Sequence, residues 1–293
     1  MPTLELTTMV GCPVRCDFCP QDALLANYPK GAKRMLSVED WGVILPKIPK
    51  HVRIDFSGMA EPWANPHCST LLGMTLDSGY SVAIYTTLQG MFPEDAEQVV
   101  AMLRDHRSQV EVVCLHLPDA DGHMRNFKRD IEWDSCLGSF MRLRASKAIE
   151  RFELMTMSGP RVMPQLGYQV HLPMWEGHDR AGSLDRSAPG PTAALEPMVR
   201  HGGPVSCSYT PFYDQNVLMP NGDVLLCCMD YGYSSKIGNL LSGTYETLQR
   251  YTIQHRNALE DVSCSNTICR KCNRATTYHQ EPGNRQMWAE DKR

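Results

Sequence analysis

Apolar and polar positions alternate in two rhythms along the first two-thirds of the chain. Short apolar runs rich in β-branched and aromatic residues occur at LELTT (4–8), VRIDFSG (52–58), YSVAIYTT (80–87), VEVVCLHL (110–117), RFELMTM (151–157) and YQVHLP (168–173). Runs of that length and composition predict strands. Between them the apolar spacing lengthens to the helical period. SVEDWGVILPKI opens on Ser37, a candidate N-cap with Asp40 three residues later. PEDAEQVVAMLRDH (93–106) carries Pro in its first turn, early acids and apolar residues at helical spacing. Six β segments joined by helical crossovers predict a parallel sheet, open or curled into a partial barrel.

The rhythm changes near residues 179–204. DRAGSLDRSAPGPTAALEPMVRHGGP is rich in Gly, Pro, Ala and Ser, the composition of a linker. Beyond it, two apolar runs flank PNGD, and Asn-Gly is the strongest short hairpin signal. TYETLQRYTIQHRNALE then reads as an amphipathic helix, and the tail carries CSNTICRKC. The division expected is residues 1–190 and 191–293.

Charge adds little to this picture. With 29 basic and 33 acidic residues the net charge is −4, which offers nucleic acid or a membrane surface no electrostatic attraction. The first residues lack the basic and apolar regions of a signal peptide, and no apolar run approaches a membrane span. A cytoplasmic location is expected. Cysteine changes the picture more. In that compartment 12 cysteines point to metal or catalysis rather than to disulfides.

Three of them, Cys12, Cys16 and Cys19, fall in VGCPVRCDFCPQ directly after the first strand. A closed zinc site wants four ligands, and a cubane iron–sulfur cluster usually takes four cysteines. Three thiolates leave one metal corner open for chemistry. Cys207, Cys227, Cys228, Cys264, Cys269 and Cys272 form a second group, which by spacing alone fits zinc as well as iron–sulfur. Cys68, Cys114 and Cys136 lie within predicted strands or helices and read as buried core thiols, as the 17 scattered methionines read as core filler.

CPVRCDFC resembles the CxxxCxΦC signature of radical S-adenosylmethionine (radical SAM) enzymes, with Phe18 at the aromatic position. The resemblance implies a partial (β/α)6 TIM-like barrel. It also implies a [4Fe–4S] cluster on Cys12, Cys16 and Cys19, with S-adenosylmethionine on the remaining iron. FSGMAEP resembles the family's Gly-Gly-Glu-Pro segment, with Met59 and Ala60 departing from it. It implies that Gly58 and Glu61 contact the methionine amino group. YTTLQG resembles the segment lining the cofactor on the third strand, which brings in Thr86. His116 and Asp119 in LHLPDADG occupy the place of ribose contacts, and Arg180 in DRAGSLD that of an anion or substrate contact. Cys207-x14-Gly222-x4-Cys227 followed by CRKC resembles the opening of the SPASM and twitch extensions. It implies a small C-terminal domain of β-hairpin plus helix holding one auxiliary [4Fe–4S] cluster on Cys207, Cys227, Cys269 and Cys272, with Cys264 able to replace one.

The function this implies is oxidation of a carbohydrate or aminocyclitol hydroxyl, as in the twitch-bearing aminocyclitol dehydrogenases. A hydrogen atom would go to the 5′-deoxyadenosyl radical and an electron to the auxiliary cluster, with flavodoxin or ferredoxin as electron donor. The alternatives are redox-neutral epimerisation of a sugar or peptide residue with Cys228 or Cys264 as hydrogen donor, and a non-catalytic iron–sulfur or zinc protein.

Overall fold

In Thr3–Leu6 (β1), Leu4 and Leu6 are fully buried while Glu5 between them is half-buried. That alternation sets the two faces of the whole sheet. A computed structural model describes residues 1–119, 122–156, 161–163, 168–170, 180–184, 201–260 and 267–277. After β1 the chain runs through Arg15–Cys16 (β2), helix Gln21–Asn27 (α1) and helix Val38–Ile44 (α2). The Ser37 side chain accepts the Asp40 N–H at 3.1 Å, the N-cap expected. Then follow Arg53–Phe56 (β3), Cys68–Asp77 (α3), Val82–Thr86 (β4), Pro93–Asp105 (α4) and Val110–Leu117 (β5). Met124–Arg125 (β6), Ile131–Ala145 (α5) and Phe152–Thr156 (β7) complete the first part.

β1, β3, β4, β5 and β7 lie side by side and parallel. Their outward residues, among them Leu4, Phe56, Ile84 and Leu115, form the main core with Trp41, Leu72, Val99 and Phe140 of the helices. The inward face is different. The register puts Glu5 beside Asp55, Tyr85 beside Cys114, and Cys114 beside Glu153, with His116 beside Met155. One face is therefore apolar and covered by helices, while the other presents titratable groups to a lumen. The parallel α/β architecture expected is borne out.

The sixth expected strand behaves otherwise. Tyr168–Val170 (β9) pairs antiparallel with Arg161–Met163 (β8) and not with the main sheet. Parallel neighbours need a crossover of a dozen or more residues, usually a helix. Only eleven residues separate β7 from β9, and β8 uses three of them, so local pairing wins.

The other edge of the sheet is extended from the C-terminal part. Val205–Cys207 (β10) precedes Gln215–Leu218 (β11), which pairs parallel with β1 from Thr3↔Gln215 to Leu6↔Leu218. The predicted hairpin follows: β11 turns through Gly222, at φ +83°, into Asp223–Leu225 (β12), and Lys236–Asn239 (β13) adds antiparallel. Helix Tyr245–Glu260 (α6) and Ala275–Thr277 (β14) follow, with β14 paired to β10. One eight-stranded sheet thus runs through both parts of the chain. Among the described residues no helix is long and apolar enough to cross a membrane.

The shared sheet has a consequence for truncation. A chain ending at residue 190 lacks β11 and leaves an edge of β1 unpaired along its whole length. It is expected to aggregate or to lose a cooperative unfolding transition, measured by sedimentation and thermal circular dichroism. Sharp, reversible unfolding of that fragment would show that residues 1–190 fold alone.

Candidate functional site

Cys12, Cys16 and Cys19 lie in the turn that leaves β1, at the ends of the parallel strands where α/β barrels place their sites. Three neighbouring segments hold this turn. β2 pairs with β6, Cys16 opposite Met124, and the Phe18 ring stacks on His123 with centroids 5.5 Å apart. The loop after β3 packs beneath: Thr7 Oγ1 accepts the Met59 N–H at 3.0 Å, and Thr8 Oγ1 donates to the Pro62 carbonyl at 2.6 Å. Gly58 sits at φ +69°, where a Cβ would lie 2.3 Å from Thr7 Oγ1, so only glycine lets the two loops approach this closely. The amide of buried Asn65 donates to the carbonyls of Thr8 (3.0 Å) and Leu36 (2.9 Å).

Glu61 is 4% exposed. Its carboxylate accepts from the Thr87 N–H at 2.7 Å, the Thr87 hydroxyl at 2.6 Å and the Thr86 hydroxyl. Its backbone N–H donates to Cys12 Sγ at 3.4 Å. Burial raises its pKa above the ordinary carboxylate range, and the threonine hydrogen bonds oppose that. Glu61 therefore clamps the loop after β3 to the end of β4, while its main chain faces the cysteine turn. Thr86 serves the same clamp and also accepts the Leu88 N–H at 2.8 Å. Asp119 is similarly engaged within the fold: its side chain is 1% exposed and accepts from His123, at Nδ1 (3.0 Å) and at the backbone N–H (3.1 Å).

His116 faces the lumen, with Tyr85 edge-on to its ring at 6.3 Å. Burial, aided by the Arg180 charge, lowers its pKa to about 4, so the ring is neutral. Its Nε2 has no hydrogen-bond partner among the described residues. Arg180, in the left-handed region at φ +50°, lies 5.2 Å over the Tyr231 ring and donates to the Cys228 carbonyl at 3.3 Å. Glu5 hydrogen-bonds to the Cys228 side chain, and burial together with Asp55 raises its pKa to about 7. Glu5 and Cys228 line one cavity, and Arg180 lies near enough to bias both Glu5 and His116 electrostatically.

Cys207, Cys227, Cys269 and Cys272 line a single cavity with Glu5 and Cys228 on its wall. The β10–β14 ribbon seats Cys207 opposite Ala275, beside the CxxC, and Cys227 follows the β11–β12 hairpin into the same cavity. The reason is pairing: β10 needs a partner edge, and β11 is already committed to β1 and β12. Backbone N–H groups donate to three of these sulfurs, Thr210 to Cys207 (3.3 Å), Met229 to Cys227 (3.4 Å) and Arg274 to Cys272 (3.4 Å). Cys269 Sγ faces His255 Nε2 at 3.4 Å. Cys264 lies outside the described residues.

Among the described residues no three His, Cys, Asp or Glu side chains converge closely enough to hold a single metal ion. The donor set still fits larger metal centres. Burial raises the Cys12 thiol to about 12 and lifts Cys16, Cys227 and Cys269 well above the ordinary thiol range. Thiolates so placed need a compensating cation, and the N–H···S contacts supply the hydrogen bonding that metal-bound sulfur prefers. Cys68, Cys114 and Cys136 are buried core thiols, as expected.

No protein-family model and no curated protein matches the chain by sequence. Among solved structures it resembles BtrN in complex with AdoMet and 2-DOIA, with a TM-score of 0.61 and 14% identity over 93% of each chain. It also resembles selenomethionine BtrN in an open conformation, with a TM-score of 0.54 and 13% identity over 93% of this chain and 92% of that one. The chain has the BtrN fold. At such identity the likeness is one of architecture, and the site must be argued from the residues themselves.

Sequence reasoning missed Glu5, Thr7, Thr8, Gln21, Asn65, Thr87, Tyr231 and His255. The one charged position inside the pattern of β1 is a signal for Glu5. Apart from Gln21, which also reaches Cys19 two residues away, the others carry no local signal, because each acts on a residue distant in sequence. Glu61→Gln puts an amide N–H₂ in place of one carboxylate oxygen, so a donor faces either the Thr86 hydroxyl or the Thr87 N–H and hydroxyl. It is expected to cost about 2–3 kcal/mol of stability in urea unfolding. An unchanged midpoint would show that the clamp is dispensable.

Proposed function

We propose that this chain is a radical SAM oxidoreductase acting on a hydroxyl of a small polar substrate, a carbohydrate or aminocyclitol. Cys12, Cys16 and Cys19 would hold a [4Fe–4S] cluster whose remaining iron takes S-adenosylmethionine. With an electron from flavodoxin or ferredoxin, that centre would supply the chemistry for abstracting a hydrogen atom from the substrate carbon. Cys207, Cys227, Cys269 and Cys272 would hold the auxiliary electron acceptor. The observation that carries this reading is the short chain of contacts between the two thiol groups: Cys19 meets the Tyr231 hydroxyl at 3.3 Å, Arg180 lies over the Tyr231 ring and donates to the Cys228 carbonyl, and Cys228 shares a cavity with Cys207, Cys227, Cys269 and Cys272. The BtrN structure supports it in its named ligands, AdoMet and 2-DOIA.

The chain's own residues supply the rest of the chemistry. Oxidising a hydroxyl to a carbonyl also releases the hydroxyl proton. Glu5 is the lumen carboxylate suited to accept it, since a general base works best with a pKa near the working pH. Arg180 balances the charge that then develops. Neutral His116 offers an unused ring nitrogen to a substrate hydroxyl. A second reading has one observation in its favour. Cys228 is a half-buried thiol hydrogen-bonded to Glu5, a suitable hydrogen donor for redox-neutral epimerisation.

Three measurements test these assignments. After anaerobic reconstitution the chain should carry about eight irons, falling to about four when Cys12, Cys16 and Cys19 are all replaced by Ala. That variant should form no 5′-deoxyadenosine under reducing conditions; equal 5′-deoxyadenosine from both proteins rules out the radical reading. Product formation should fall as pH drops through about 7, where Glu5 takes up its proton, and Glu5→Gln should lose that limb along with at least tenfold in rate. Cys228→Ala should keep product if the reaction is oxidation. Loss of product with continued cofactor cleavage would favour epimerisation.

A further inference from the structure

One short segment belongs to both thiol groups at once. Its first residue, Cys227, lines the C-terminal cavity. Four residues on, Tyr231 is 1% exposed and packs with Val10, Leu24 and Met59 around the N-terminal cysteine turn. Its hydroxyl lies 3.3 Å from Cys19 Sγ. The segment is held in shape by Asp230, whose carboxylate accepts the N–H and hydroxyl of Ser234, each at 2.9 Å, and the N–H of Ser235. Asp230 N–H in turn donates to the Cys227 carbonyl at 3.2 Å. The position of the Tyr231 hydroxyl is therefore fixed by a turn that starts at a cysteine of the other group.

The direction of this hydrogen bond depends on Cys19. As a thiol, Cys19 donates to the phenol oxygen. As a thiolate bound to metal it has no proton, and the phenol becomes the donor. An O–H dipole aimed at a sulfur ligand stabilises added negative charge on the centre and so favours its reduced state. Gln21 Nε2 also donates to this sulfur, at 3.3 Å, but from within the N-terminal segment itself. Tyr231 is the contribution that arrives from the C-terminal part.

We infer that Tyr231 is a positioning residue through which the C-terminal segment raises the reduction potential of an iron–sulfur centre on Cys12, Cys16 and Cys19. This rests on reading those three thiols as iron–sulfur ligands. The coupling gives the C-terminal part a task besides holding its own centre, since it makes the first centre easier to reduce only when the 227–231 turn is in place.

The test compares the full-length reconstituted wild type, Tyr231→Phe and Tyr233→Phe by redox titration followed with electron paramagnetic resonance. The N-terminal centre is identified as the signal that changes on adding S-adenosylmethionine. Tyr233 is the control, because its hydroxyl bonds to Asp223 at 2.9 Å and to Asn221. Tyr231→Phe should move the N-terminal midpoint to a more negative value, with iron content unchanged, and Tyr233→Phe should leave it in place. Should Tyr231→Phe lose iron, 3-fluorotyrosine at the same position keeps ring and hydroxyl. As a stronger donor, it should move the midpoint the other way. An unchanged midpoint in either fully loaded Tyr231 variant overturns the inference and leaves the iron–sulfur reading intact. A wild type that takes up no iron at Cys12, Cys16 and Cys19 overturns both.

Discussion

The parallel pairing of β1 with β3 on one side and β11 on the other is the constraint on which the molecule depends. β1 is only four residues long, yet it has no free edge. Its C-terminal end launches the cysteine turn, so whatever positions β1 positions Cys12, Cys16 and Cys19. Because β11 is one of its two partners, the C-terminal hairpin is built into the same sheet rather than attached to its surface. Cys227 and Tyr231, a few residues beyond that hairpin, are then delivered to the end of the sheet where the first cysteines already lie.

The alternation of β1 also separates the two environments of the protein. Leu4 and Leu6 face the helices, where burying apolar surface stabilises the fold by about 25 cal/mol per Å². Glu5 faces the lumen with Asp55, Arg180 and Cys228 around it. A carboxylate there costs stability unless it is paired or protonated, which is why its proton is held more tightly than usual. The buried thiols follow the same logic more strongly. Several are pushed far above the ordinary thiol range by an environment that disfavours their charged forms, and N–H···S contacts surround them. Such groups are costly as ornaments and useful as ligands.

Glu61 shows what the structure adds to the reading of a motif. FSGMAEP marks the loop that abuts the cysteine turn, and the structure puts it there. The carboxylate, however, is spent on Thr86 and Thr87, while the main-chain N–H meets Cys12. Gly58 likewise matters because Thr7 lies against its missing Cβ, a reason that no local pattern contains. Asp119 is occupied by His123, four residues away, as a local turn.

Much of the architecture was determined by sequence alone. Five parallel strands and their helices, the Ser37 cap, the Asn-Gly hairpin and the α6 helix are local events, set by periodicity and by residues a few positions apart. The cysteine spacing likewise announced two thiol groups. What only the tertiary structure decided is how distant segments share one space. It set β11 on the edge of β1, sent β9 back onto β8, brought Cys207 to the CxxC through the β10–β14 ribbon, and placed Tyr231 against Cys19, 212 residues away in sequence. These contacts depend on which strand edges remain unpaired once the core has formed. Edge availability is a property of the assembled sheet, and no segment carries it in its own pattern.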